Sequence, residues 1–261
     1  MTIYMCEPVL EGILCGVYDG WSDPAGHEGV RLALKGEYEE LELFADYRDV
    51  QLDQKKAGKV ISSVCRKLSQ AVYSQVYTAS LSQEKERADK IYRFLVQAFR
   101  YGPAVLEMLQ LPACYDIFRM CRNVYNENHL LTEFLRFSQT PGGLLVSRIG
   151  PKNDVMTLLA PHFADRLPGE NWVIYDENHR KAAVHPAGRS WFLVNQPLEP
   201  DQKEDEGEWM YWLKERTDGE EYEDMWRMFC DTIAIRERHN PLCQITHLPL
   251  RFRPYMTEFQ K

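Results

Sequence analysis

Apolar positions along the chain change period several times, and each change predicts an element. Residues 3–6 read as a short strand. Behind Pro8, residues Val9, Leu10, Ile13, Leu14, Val17 and Tyr18 recur at helical spacing. Residues 22–29, with Asp23-Pro24 and Gly26, predict a loop, and 31–34 and 41–44 predict strands on either side of a Gly36 turn. From Asp53 the period is helical again. Ala57, Val60, Ile61, Val64, Cys65 and Leu68 fit one apolar face, with Lys55, Lys59 and Arg66 opposite. Cys65, on that apolar face, is expected to be buried and inert. Helices over about 70–81, 83–100 and 114–137 follow, divided by Gly102-Pro103 and Pro112.

Pro141-Gly142-Gly143 marks the clearest boundary. Beyond it the pattern predicts a strand over 144–149 and a helix capped by Asn153 or Asp154 that reaches Leu167. Three β-rich runs follow, at 172–175, 181–185 and 191–194. Residues 197–208 form a polar acidic loop, expected to be the most mobile internal segment. Helices over 209–216 and 222–236 come next. The last twenty-one residues, with Pro241, Pro249 and Pro254, predict an extended tail. The fold class is therefore α+β. A helical middle is flanked by two small α/β units, the second a strand–helix–three-strand meander, with a helical C-terminal region and an extended tail. The corresponding regions are 1–52, 53–140, 141–196 and 197–261, a division also compatible with one compact domain.

Composition narrows the picture. A chain of 261 residues that is 44% hydrophobic can bury a real core. No apolar run is long enough to span a bilayer, and the opening residues carry no signal-peptide pattern, so the expectation is a cytoplasmic protein with no membrane partner. Seven cysteines, odd in number and without a CxxC pair, argue against a disulfide scaffold and a zinc ribbon. The net charge of -8 is misleading. Residues 199–224 carry twelve acids and three bases, while 55–100 carry ten bases and three acids and 236–261 five bases and two acids. Two basic regions in an acidic protein leave a polyanionic partner possible.

Candidate chemistry is sparse. His162 and Arg166 share a helix face, and Asp176 and His185 fall at strand ends. Together these four could form a general acid–base or phosphate-gripping centre, or be an ordinary ion pair and packing contacts. His129 and Glu133 are spaced to hold a metal but lack a third ligand, so no metal or cofactor is expected. Lys90, Arg93, Gln97 and Arg100 make a basic stripe. Lys59, Arg66, Arg93 and Arg100, with Arg251 and Arg253 of the tail, are the expected phosphate contacts, unless they are merely solvated helix faces. Arg251-Phe252-Arg253-Pro254-Tyr255 alternates cations with aromatics, as single-strand binders do. There is no Gly-rich phosphate loop, no GxSxG and no radical-SAM cysteine motif.

Several phrases resemble an uncharacterised bacterial family described as DNA metabolism or DNA repair proteins. They are residues 2–7 (TIYMCE), 91–95 (IYRFL), 134–137 (FLRF), 161–168 (PHFADRLP), 170–176 (ENWVIYD) and 248–259 (LPLRFRPYMTEF). The chain departs from the family pattern after His129, where Leu130 stands in place of an arginine. Members are typically encoded beside a radical-SAM protein, and in some bacteria the domain is fused to a uracil-DNA-glycosylase-like domain. The resemblance implies a nucleic-acid-binding accessory protein in DNA repair or modification. Its implied partners are a radical-SAM protein and DNA, damaged or single-stranded. An enzyme on damaged DNA or nucleotides, hydrolytic or lyase-type, is one alternative. The other is a protein-interaction module using the acidic 199–224 segment.

Overall fold

In the computed structural model of the chain, residues 1–37, 42–195, 225, 226, 228–230, 232 and 240–259 are described. The fold is α+β, with a helical middle and a helical C-terminal region. It divides into two compact units, Met1–Asn126 and Glu127–Lys261. The predicted mobile loop and the helix predicted over 209–216 lie outside the described residues. Of the helix predicted over 222–236, the described residues 225, 226, 228–230 and 232 are helical.

The first unit is a three-stranded parallel sheet covered by helices. Strand β1 (Thr2–Cys6) is central, between β2 (Val30–Leu34) and β3 (Asp46–Asp49). The strand expected at 41–44 is a correction: Leu43 and Phe44 are exposed in a turn, and Phe44 has φ +63°. The real third strand, Asp-Tyr-Arg-Asp, is a mostly exposed edge with no apolar alternation to betray it. All three strands are parallel, so the Gly36 turn closes no hairpin.

Helix α1 (Leu10–Gly20) packs closely on the sheet because Gly16 has no side chain. A Cβ there would lie 2.2 Å from Cys6 Sγ. Helix α2 (Gln54–Lys67) starts where the Asp53 carboxylate accepts from the backbone N–H groups of Lys55 and Lys56. It buries Ala57, Val60 and Val64. Cys65 is only half-buried, which corrects the sequence expectation: it lies at the margin of the apolar stripe. Helices α3 (Gln70–Ser80, capped by Ser69), α4 (Arg87–Tyr101) and α5 (Pro112–Phe134) complete the helical middle. The core of this unit runs unbroken from Tyr4 and Leu14 through Val64 and Tyr92 to Met120.

The second unit holds a five-stranded sheet in the order β4 (Ser138–Gln139), β5 (Leu145–Ile149), β6 (Trp172–Asp176), β7 (Lys181–His185), β8 (Phe192–Asn195). Strands β5 and β6 are parallel and joined through α6 (Met156–Arg166), which buries Met156, Leu159, Ala160 and Phe163. The remaining pairs are antiparallel. The tail is a third correction. It forms α7 (Pro241–His247) and 3₁₀ turns at Leu250–Tyr255 and Thr257–Phe259 rather than an extended strand. Pro241 and Pro249 start turns here, while Pro254 lies within the turn Leu250–Tyr255. Pro241 takes the first helical position behind an Asn240 side-chain cap, where a missing N–H costs nothing. Among the described residues, no helix is long and apolar enough to cross a membrane.

Candidate functional site

The expected phosphate contacts of the first unit separate into two kinds. Arg93 is spent inside the protein: its guanidinium donates to the carbonyl oxygens of His27 and Val30 and meets Asp89 at 3.3 Å, tying the turn before β2 to α4. Lys59, Arg66 and Arg100 are exposed and make no ion pair with a described residue. Arg66 donates only to the Ser62 carbonyl, at 3.3 Å, and the Arg100 guanidinium lies 5.3 Å from the Tyr101 ring.

Lys59 borders a cavity of about 470 Å³ between the end of α1, α2 and α4. Tyr18, Trp21 and Phe99 supply its aromatic wall, Val17 and Val60 its apolar floor, and Lys59 and Lys67 its rim. Trp21 is held edge-on against Phe99 at 5.1 Å, His27 at 4.9 Å and Tyr92 at 6.1 Å. Behind it the buried Tyr92 hydroxyl donates to the Gly20 carbonyl at 3.0 Å and meets His27 Nδ1 at 2.7 Å. Burial pushes the Tyr92 phenol up to about 12, so it stays protonated and keeps the wall fixed. Asp19, the one carboxylate among the described lining residues, takes the Lys56 ammonium at 2.6 Å. The Lys59 ammonium is 5.4 Å from the Tyr18 ring, and Lys67, like Lys59, has no ion pair with a described residue. The arrangement offers flat π surface and positive charge side by side, which suits a ligand carrying bases and phosphates.

Sequence reading reached Lys59 here but not Lys67, Tyr18, Trp21 or Phe99. Lys59, Ser63 and Lys67 repeat every four residues along one face, a signal the sequence did contain. Tyr18 and Trp21 come from α1 and its C-terminal end and Phe99 from α4, and only tertiary packing gathers all three.

In the second unit the four expected catalytic residues are not gathered. Trp172 pairs with His185 and Asp176 with Lys181 across β6 and β7. Asp176 and His185 therefore stand at opposite ends of a hairpin, about 13 Å apart at the usual rise per strand residue. Asp176 is fully buried and accepts from the backbone N–H groups of Asn178 and His179 and from His179 Nδ1 at 2.7 Å. Burial acts to lower the His179 pKa, but the Asp176 hydrogen bond and charge outweigh it and raise it. His185 is stacked on Trp172 at 4.9 Å, with Nδ1 at 2.9 Å from the Glu170 carbonyl. His162 is exposed.

The tail arginines are also partly committed. Arg251 meets Glu127 at 2.8 Å. That carboxylate is buried and also accepts from the backbone N–H groups of Lys152 and Asn153 and from the Asn153 amide. Arg253 lies over the Phe259 ring at 4.7 Å. His129 and Glu133 pair at 3.1 Å on an exposed face. Among the described residues, no three His, Cys, Asp or Glu side chains are placed to hold a metal ion.

Arg166 lines a cavity of about 640 Å³. Its other walls are the end of α5 (Thr132, Glu133), the link after it (Arg136, Phe137), the edge strand β4, and Phe163, with Trp226 and Thr257. Three of the family-like phrases, 134–137, 161–168 and 248–259, thus contribute to one cavity.

A family model described as Domain of unknown function (DUF4130) matches residues 85–258. The cavity of the second unit falls wholly within that span, whereas the aromatic–lysine cavity shares only Phe99 with it. No curated protein matches the chain.

Proposed function

The chain belongs to the family described as Domain of unknown function (DUF4130), and from that premise we propose that it is a nucleic-acid-binding accessory protein of DNA repair or modification. In this reading it acts with a radical-SAM partner on single-stranded or damaged DNA. The observation that carries the binding part is the first unit's cavity, where Tyr18, Trp21 and Phe99 stand beside two lysines without carboxylate partners among the described residues. Stacking is worth roughly 1–3 kcal/mol per base and tolerates any sequence, while lysines release counterions from phosphates. Screening limits surface charges to about 10 Å at moderate salt, so an overall charge of -8 does not cancel a local positive field. The repair context and the partner rest on the family-like phrases alone. The enzyme alternative is weaker, because its four residues are not gathered.

The test is fluorescence anisotropy of a labelled single-stranded oligonucleotide over a salt series, with wild type and Lys59→Gln/Lys67→Gln. Tight, salt-sensitive binding that weakens in the variant supports the proposal. Equal binding by both proteins, or none by wild type, removes it.

A further inference from the structure

The cavity of the second unit is not used by strand binding through Lys59 and Lys67, and its chemistry differs. We propose that it is a pocket for a single unstacked nucleobase. A base presents a flat π face and an edge bearing both hydrogen-bond donors and acceptors. Phe137 supplies a half-buried ring whose orientation is held by Phe163 at 5.4 Å and by the buried Trp172 at 6.3 Å. Around it, Arg166 can donate, Glu133 can accept, and the Gln139 amide can do both.

Arg136 is the fixed member of the wall. Its guanidinium donates to the carbonyls of Glu133 and Leu135 and to the Glu258 carboxylate at 2.9 Å. Arg166 makes no ion pair with a described residue and is exposed, so it is available to a ligand. The mixed character matters: a Glu133 carboxylate lining the same cavity as the Arg166 guanidinium suits the donor-and-acceptor edge of a base. The volume, about 640 Å³, falls in the usual range for small-ligand pockets.

A base can arrive extruded from a strand or as a free nucleoside. The strand route rests on the function proposed above; the free nucleoside does not. The experiment therefore titrates the full chain with two fluorescent probes, 2-aminopurine deoxyriboside and a single-stranded oligonucleotide carrying one 2-aminopurine. Wild type should quench the free nucleoside by stacking. Arg166→Ala should weaken that binding about tenfold, the loss of one hydrogen bond to a charged group. Thr132→Trp, filling the cavity from α5, should abolish it with the circular dichroism unchanged.

If neither probe responds in wild type, or if Arg166→Ala responds like wild type, the pocket is overturned. Should Thr132→Trp fail to fold, Arg166→Ala still decides. Salt-sensitive strand binding with silent probes would sink the pocket and leave the strand proposal standing. Nucleoside binding without strand binding would do the reverse.

Discussion

Lys59 and Lys67 on α2 stand beside three aromatic rings with no carboxylate partner among the described residues, whereas Arg251 of the C-terminal turn reaches the buried carboxylate of Glu127 at 2.8 Å. Both come from regions that are basic in sequence. The difference lies in what waits opposite the cation. Glu127 is buried and bound by two backbone N–H groups and an amide, so it fixes Arg251 in place and makes it a structural residue. The Lys59 ammonium instead lies 5.4 Å from the Tyr18 ring, with no carboxylate partner among the described residues. Arg93 shows that the distinction operates within the first unit too, since carbonyl oxygens of the chain itself take its donors. A cation with its donors satisfied internally contributes stability, whereas one displayed beside aromatic surface keeps its charge available to a ligand.

That contrast predicts effects of decreasing size. Glu127→Ala removes a buried carboxylate and strands the N–H groups of Lys152 and Asn153. Urea denaturation should show a loss of roughly 3 kcal/mol, and a loss below about 1 kcal/mol would break the contrast. Arg251→Ala leaves Glu127 its N–H donors and should cost roughly 1–2 kcal/mol. A smaller effect follows from His179, whose pKa is raised in the fold by Asp176 despite burial. Its contribution is fully present below the unfolded value of about 6.5 and is lost as pH rises through the folded value. Stability should therefore decline on going from acidic to alkaline pH across that window, and His179→Ala should flatten this component. Least affected should be the Lys59→Gln/Lys67→Gln variant, with stability within about 0.5 kcal/mol of wild type. A larger loss would mean that these lysines, like Arg251, are structural.

The helices of the first unit are legible in the sequence because their signals are local: apolar spacing over 57–68 and the caps Asp53 and Ser69. Strand β3 is not, because an exposed parallel edge imposes no hydrophobic period on Asp46–Asp49. The tail misleads because proline is read as a helix breaker, while Pro241 occupies the one helical position that favours it. At the candidate site, Lys59 follows from its helix face. Arg93 is misread because nothing local indicates that the carbonyls of His27 and Val30 will come within reach. Tyr18, Trp21 and Phe99 become a wall only when α1 and α4 pack together.

In the proposed function, the aromatic–lysine cavity of the first unit holds a nucleic-acid strand through displayed rather than structural cations. The most direct measurement is the dependence of single-stranded oligonucleotide affinity on salt, for wild type and for Lys59→Gln/Lys67→Gln. Two phosphate contacts on a single strand account for a slope of about 1.4 in log affinity against log salt. The account predicts that the variant binds more weakly at low salt and that its slope is shallower by about that amount. A variant whose slope and affinity match wild type would contradict it.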